Sequence, residues 1–169
     1  MIVLKYIIIF FAFCISVYIG NLISKKYVLR VTELKDFKNA LNIIESKIKF
    51  TYEPLPEIFL DTSKMLTKNI SQLFSKSSEK MRIGNAEETW EQEVQESETN
   101  LELEDLESIK SFGKMLGKMD KEGQISRIEL TRTLIDMQIE KAKQEEQKNA
   151  KMYKTLGGIV GLAFVIILI

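Results

Sequence analysis

The stretch SFGKMLGKMDKEGQ, Ser111 to Gln124, decides how this chain folds, because it reads as the turn at the far end of a long helical hairpin. Phe112, Met115, Leu116 and Met119 recur at helical spacing and share one face. Gly113 and Gly117 stand one helical turn apart and remove side chains where a neighbouring backbone could approach closely. Asp120 to Gly123 then breaks the pattern. Asp120 is placed to cap a new helix by accepting backbone N–H bonds, with Glu122 and Gln124 adding polar groups near its start. Two readings follow: a helix–helix corner shaped by packing, or a tip that a partner contacts.

Working outward, the arm after the turn carries Ile125, Ile128, Ile135, Ile139 and Ala142 at helical spacing. Lys141, Lys143 and Lys148 alternate with Glu140, Glu145 and Glu146 on its wet side. No proline or glycine interrupts Gln124 to Lys154, so this arm can run for about 46 Å. That length would lift the turn clear of anything at the other end of the helix.

The opposite arm is Tyr27 to Phe50, with Val31, Leu34, Phe37, Leu41, Ile44 and Ile48 as its packed stripe. Pro54 and Pro56 in Tyr52-Glu53-Pro54-Leu55-Pro56-Glu57 predict an extended corner and then a helix containing Ile58, Phe59, Met65 and Leu66. A short helix over Ile70 to Met81 carries Leu73 and Phe74. Gly84 and Asn85 stop it, with Asn85 and Glu88 spaced as an N-cap and its return partner. No segment alternates with a period of two, so the expected fold is all-α, a bundle of about five to six helices.

Both ends are apolar. Tyr6 to Ile23 contains 18 residues without a charge, close to the roughly 20 that cross a bilayer as a helix. Eleven of them are Leu, Ile, Val or Phe, which together favour insertion by about 3 to 7 kcal/mol. Lys25, Lys26 and Arg30 follow directly and no small-x-small cleavage site intervenes, which argues against a removable signal peptide. At the other end, Met152 to Ile169 gives about 27 Å of helix against a hydrocarbon core of about 30 Å. Gly157 and Gly161 form a Gly-x-x-x-Gly pattern that permits close packing against the first span or another protein. Lys148, Lys151 and Lys154 precede its apolar stretch, which begins at Leu156. Both junctions are therefore basic on the side of the middle region, which places that region in the cytoplasm and the termini on the far side. The expected organisation is an N-terminal membrane anchor over 1–24, a cytoplasmic helical domain over 25–154 and a C-terminal membrane segment over 155–169.

Composition narrows function by exclusion. Lys and Arg together balance Asp and Glu at 24 each, so bulk charge gives no reason to expect a nucleic-acid partner. Histidine is absent and Cys14 is the lone cysteine, which removes disulfide frameworks, zinc sites and Cys-His nucleophiles within one chain. No cofactor is expected. The charge is unevenly spread: from Ala86 to Ile109 lie ten acidic residues and no lysine or arginine. Trp90 and Val94 give the first half of this run an apolar edge, and Leu103, Leu106, Ile109, Phe112 and Leu116 give one to the second, so the run is folded. It is either a solvated helix face or a docking surface for a basic partner. A hydrolase built on carboxylates alone would need a shaped pocket that nothing in the sequence suggests.

YEPLPEIF at Tyr52 to Phe59, SFGKMLGKMDKEGQ at Ser111 to Gln124 and KMYKTLGGIVGLAFVIILI at Lys151 to Ile169, in this order and spacing, resemble the stage III sporulation protein AB family of endospore-forming bacteria. The likeness covers essentially the whole chain. That family in turn resembles the cytoplasmic domain of the inner-membrane platform protein of type II secretion and type IV pilus machines. The resemblance implies a cytoplasmic secretion-type ATPase as partner, other membrane components of a channel complex, and the mother-cell membrane around the forespore as location. It carries over onto Leu116, Gly117 and Asp120, with Gly113 and Gln124, and Met119 stands where the family often has a small residue. The combined expectation is a non-enzymatic platform that docks the ATPase through Glu102, Glu104, Asp105, Glu107 and the tip. The alternative is a membrane scaffold that self-oligomerises without an ATPase.

Overall fold

The computed structural model describes residues 2–114 and 120–168 and, among these, contains helices and no strand. The helices are α1 (Ile2–Phe50), α2 (Leu55–Ser63), α3 (Lys68–Met81), α4 (Ala86–Gln95), α5 (Leu103–Gly113), α6 (Lys121–Glu145) and α7 (Lys151–Leu168), with one π-helical turn, Glu146–Ala150, between the last two. Two compact units result: Met1–Val31 with Lys141–Ile169, and Thr32–Glu140.

The unit Thr32–Glu140 is the expected helical bundle. Val31 apart, the α1 stripe lies within it, and Leu34, Phe37, Leu41 and Ile44 are fully buried. Ile128, Ile135 and Ile139 of α6 are buried in the same unit. The two helices run antiparallel, as Lys38–Asp136 at 2.6 Å, the Arg132–Glu45 pair and the Lys121 ammonium on the Lys49 carbonyl at 2.6 Å show in turn. Between them, α2 to α5 complete an aromatic centre that Phe37 of α1 begins. Phe37, Phe59, Phe74, Trp90 and Phe112 lie with ring centroids 5.1–6.3 Å apart, several edge to face. Burying each contributes about 1.5–3 kcal/mol, which makes this cluster the main apolar anchor of the short helices.

Local chemistry sets the helix ends. Thr51 returns both its N–H and its hydroxyl to the Lys47 carbonyl, closing α1 ahead of the extended Pro54 that opens α2. The helix α2 is shorter than its apolar pattern predicts: it stops at Ser63, and Met65 and Leu66 fall in the following turn, with Met65 exposed. The reason is tertiary. The Asp36 carboxylate of α1 accepts from both the N–H and the hydroxyl of Thr67 at 2.6 Å, and the Ser71 hydroxyl binds the Ser63 carbonyl at 2.7 Å. Asn85 caps α4 as its position predicts, accepting from Glu87 N–H at 2.9 Å and Glu88 N–H at 3.3 Å.

In the other unit, α1 and α7 pair side by side. Gly20 and Gly157 bring the two backbones together, since a Cβ on Gly20 would lie 2.9 Å from the Gly157 Cα. The Ser16 hydroxyl donates to the Gly157 carbonyl at 2.9 Å, and Tyr27 stacks on Tyr153 with centroids 6.0 Å apart. Arg30, buried, is paired with Glu145 at 2.6 Å.

Candidate functional site

The acidic run becomes a helical hairpin, α4 followed by α5. Helical phase sorts its carboxylates. Glu88, Glu91, Glu96, Glu98, Glu102, Glu104 and Glu107 are exposed, Glu87 is half-buried, and Glu93 and Asp105 are buried. The buried two work inside the fold: Glu93 pairs with Lys80 of α3, and Asp105 accepts from the Glu102 N–H at 2.9 Å in the capping box that starts α5. That ion pair holds the Lys80 ammonium above its ordinary pKa, mainly through the hydrogen bond to Glu93. Among the exposed carboxylates, Lys110 reaches Glu91 at 3.3 Å and Glu107 at 4.0 Å, linking the two helices of the hairpin.

The connection between α4 and α5 is fixed by a residue the sequence pattern did not flag. Glu33 of α1 is buried, and its carboxylate accepts from the Asn69 side chain, the Asn100 N–H and the Asn100 side chain, each at 2.7 Å. Glu33 stands one turn before Phe37 at the edge of the apolar stripe, and that phase was the available signal. Arg127 of α6 is the second such case: its Nε donates to the Ser111 carbonyl at 2.9 Å and so satisfies the exposed C-terminal end of α5.

Of the residues expected to contact a partner, the structure presents Glu102, Glu104 and Glu107 on the surface and corrects Asp105, whose carboxylate is turned inward. Leu103, expected on the apolar edge of α5, is 74% exposed. Positions Asp105, Ile109 and Phe112 define the inward face, and Leu103 points away from it. Gly113 faces an indole, not a backbone: a Cβ there would come within 2.1 Å of Trp90 Cδ1, so the position is reserved for packing. Asp120 is exposed and accepts from the Gly123 N–H at 2.9 Å, capping α6 as read from sequence. Gln124 is half-buried and lines a groove of about 350 Å³ with Ile48, Tyr52, Leu55 and Lys121. Leu116 and Gly117, with Met115 and Met119, lie outside the described residues.

Gly157 and Gly161 face α1: the Cβ that Gly157 lacks would meet the Ser16 carbonyl at 2.9 Å, and that of Gly161 the Phe13 ring at 2.8 Å. The partners of Gly157, Ser16 and Gly20, were missed. Ser16-x-x-x-Gly20 is itself a small-x-x-x-small pattern and was the available signal. Among the described residues, no group of three or more His, Cys, Asp or Glu side chains is placed to hold a metal ion.

Among the described residues, these features define an all-helical protein with two helices long and apolar enough, by length and composition, to cross a membrane. The family model for stage III sporulation protein AB matches residues 5–169, and the chain belongs to that sporulation family, which is not a known enzyme family. Stage III sporulation protein AB of Bacillus subtilis (strain 168) is 31% identical over 153 residues, covering 88% of this chain and 90% of the relative. A solved structure of a stage III sporulation protein AB superposes with a TM-score of 0.65 at 26% identity, covering 71% of this chain and 98% of that one.

Proposed function

We propose that this protein is a non-enzymatic membrane platform of a sporulation channel complex. In this reading α7 and the N-terminal part of α1 cross the mother-cell membrane around the forespore, with the bundle cytoplasmic and both termini on the far side. The α4–α5 hairpin docks a basic surface of a cytoplasmic secretion-type ATPase, and the spans meet the other membrane components of the channel. The observation that carries the docking claim is that Glu102, Glu104 and Glu107 are exposed on the α4–α5 hairpin while Glu93 and Asp105 face inward. Acidic charge gathered on one surface steers a basic partner and fixes its register.

The test is co-sedimentation of the full chain in lipid nanodiscs with the candidate ATPase at low and high salt. Binding should fall as the Debye length shrinks from about 10 Å at 0.1 M to about 3 Å at 1 M. Reversing Glu102, Glu104 and Glu107 to lysine should abolish recruitment while leaving the helical circular dichroism unchanged. Unchanged recruitment by that variant would remove the docking claim.

A second reading, self-association without an ATPase, draws on the exposed apolar side chains of Ile83, Leu103, Leu130 and Met137. Sedimentation velocity of the full chain alone separates the two, because a scaffold forms oligomers with no partner present.

A further inference from the structure

We propose that the junction between the paired helices α1 and α7 is a binding site for one anionic phospholipid, with lysines for the phosphate and an apolar groove for an acyl chain. The inference rests on the membrane reading above.

The charged part is formed by Lys25 and Lys26 of α1, Lys148 of the π-helical turn, and Lys151 and Lys154 of α7. The Tyr27–Tyr153 stack brings these two short sequences to one level of the same unit. All five lysines are exposed, and none takes part in the ion pairs seen among the described residues. Arg30 is the contrast, buried and paired with Glu145. Residues 1–32 and 147–169 contain no aspartate or glutamate, and the adjoining carboxylates are Glu33, held by Asn69 and Asn100, Glu145, held by Arg30, and the half-buried Glu146. The protein thus concentrates cationic charge here and supplies little to neutralise it.

The apolar part begins at the same level. A groove of about 500 Å³ between the two helices is lined by Ile15, Ile19, Ile23, Tyr153, Leu156 and Val160. Tyr153 is adjacent in sequence to Lys154, and Ile23 lies just ahead of Lys25, so the lysines stand at one end of the groove. A soluble anion would use the lysines alone, and a neutral lipid the groove alone. A molecule with an anionic head and an apolar tail uses both, and stacked tyrosines suit the headgroup level that separates them.

The test is native mass spectrometry of the full chain released from nanodiscs of phosphatidylcholine with phosphatidylglycerol. The wild type should retain phosphatidylglycerol in preference to phosphatidylcholine. Each lysine near the headgroups strengthens binding about fivefold, so Lys26→Gln with Lys151→Gln and Lys154→Gln should lower retention by more than about tenfold. Val160→Trp, which fills the groove and keeps every charge, should lower it as well. Equal retention of both lipids, full retention by the lysine variant, or displacement of the lipid by inorganic phosphate alone would each overturn the proposal. Alkaline carbonate extraction of the same preparations keeps the two claims apart. Release of the chain overturns the membrane reading and the lipid site with it, whereas a chain that stays inserted without lipid preference overturns the site alone.

Discussion

The indole of Trp90 lies on Gly113, so close that a β-carbon at position 113 would sit 2.1 Å from Cδ1, while the indole N–H donates to the Ile109 carbonyl at 2.9 Å. One turn of α5 therefore receives both the Cδ1–Cγ side and the N–H of the single tryptophan. Gly113→Ala must push the ring away and strain that hydrogen bond. The expected cost is about 2–4 kcal/mol, from overpacking together with a weakened buried hydrogen bond. Denaturant unfolding measures it, and the Trp90 emission should shift to the red.

Asp105 and Glu104 are neighbours with opposite expected behaviour. Asp105→Ala removes the carboxylate that holds the Glu102 N–H and should cost about 0.5–2 kcal/mol of stability. Glu104→Ala, at an exposed position, should change stability by less than about 0.5 kcal/mol. Thermal melts of the two single variants decide it; equal losses would contradict the buried assignment of Asp105.

Glu33 holds the α4–α5 connection through three hydrogen bonds from Asn69 and Asn100. Glu33→Ala should cost roughly 2–4 kcal/mol, because hydrogen bonds to a charged acceptor are lost and their part-buried donors are left without it. Limited proteolysis should then cut within residues 96–102 faster than in the wild type, even under conditions where the aromatic centre stays folded.

Gly157 and Gly158 are adjacent but differ in surroundings. A side chain at Gly157 meets the Ser16 carbonyl and the Gly20 backbone, whereas one at Gly158 meets nothing within 4 Å. Gly157→Leu should separate α7 from α1, and Gly158→Leu should not. Migration of the full chain as a compact hairpin in detergent electrophoresis reads the difference.

Acid should weaken the bundle through Asp61. Its carboxyl is held down to about 2 by hydrogen bonds first from Lys47 and then from Lys64. A carboxylate with a depressed folded-state pKa contributes stability above its ordinary value of 3.8, and that contribution is lost as pH falls through about 2. Asp61→Asn should flatten the acid limb of the stability profile over that interval, as followed by circular dichroism melts at successive pH values.

What could be read from the sequence was mainly local. Asn85 and Asp120 cap the helices they were expected to cap, because a cap is decided within three residues of itself. The stripe Val31, Leu34, Phe37, Leu41 and Ile44 is buried as its periodicity implies. What escaped depended on distant partners. Met65 and Leu66 continue an apolar pattern, yet Asp36, 31 residues earlier in the chain, holds Thr67 and the helix ends before them. Asp105 looked like its acidic neighbours until the phase of Ile109 and Phe112 turned it inward. Gly113 was legible as a place of close approach, but the identity of the approaching group was a matter of tertiary packing with Trp90.

The antiparallel pairing of α1 with the last third of the chain also sets a timetable. Arg30 waits 115 residues for Glu145, and at about 5–20 residues per second of synthesis that is roughly 6–23 s after Arg30 is made. Through that interval the apolar stripe of α1 has only the short helices α2 to α5 to cover it, each held to its neighbours by nearby contacts that form early. Translation thus imposes an order in which the aromatic centre is assembled first and the long arm closes over it last. A nascent chain that has emerged only as far as the start of α6 carries the acidic hairpin but not the finished clasp.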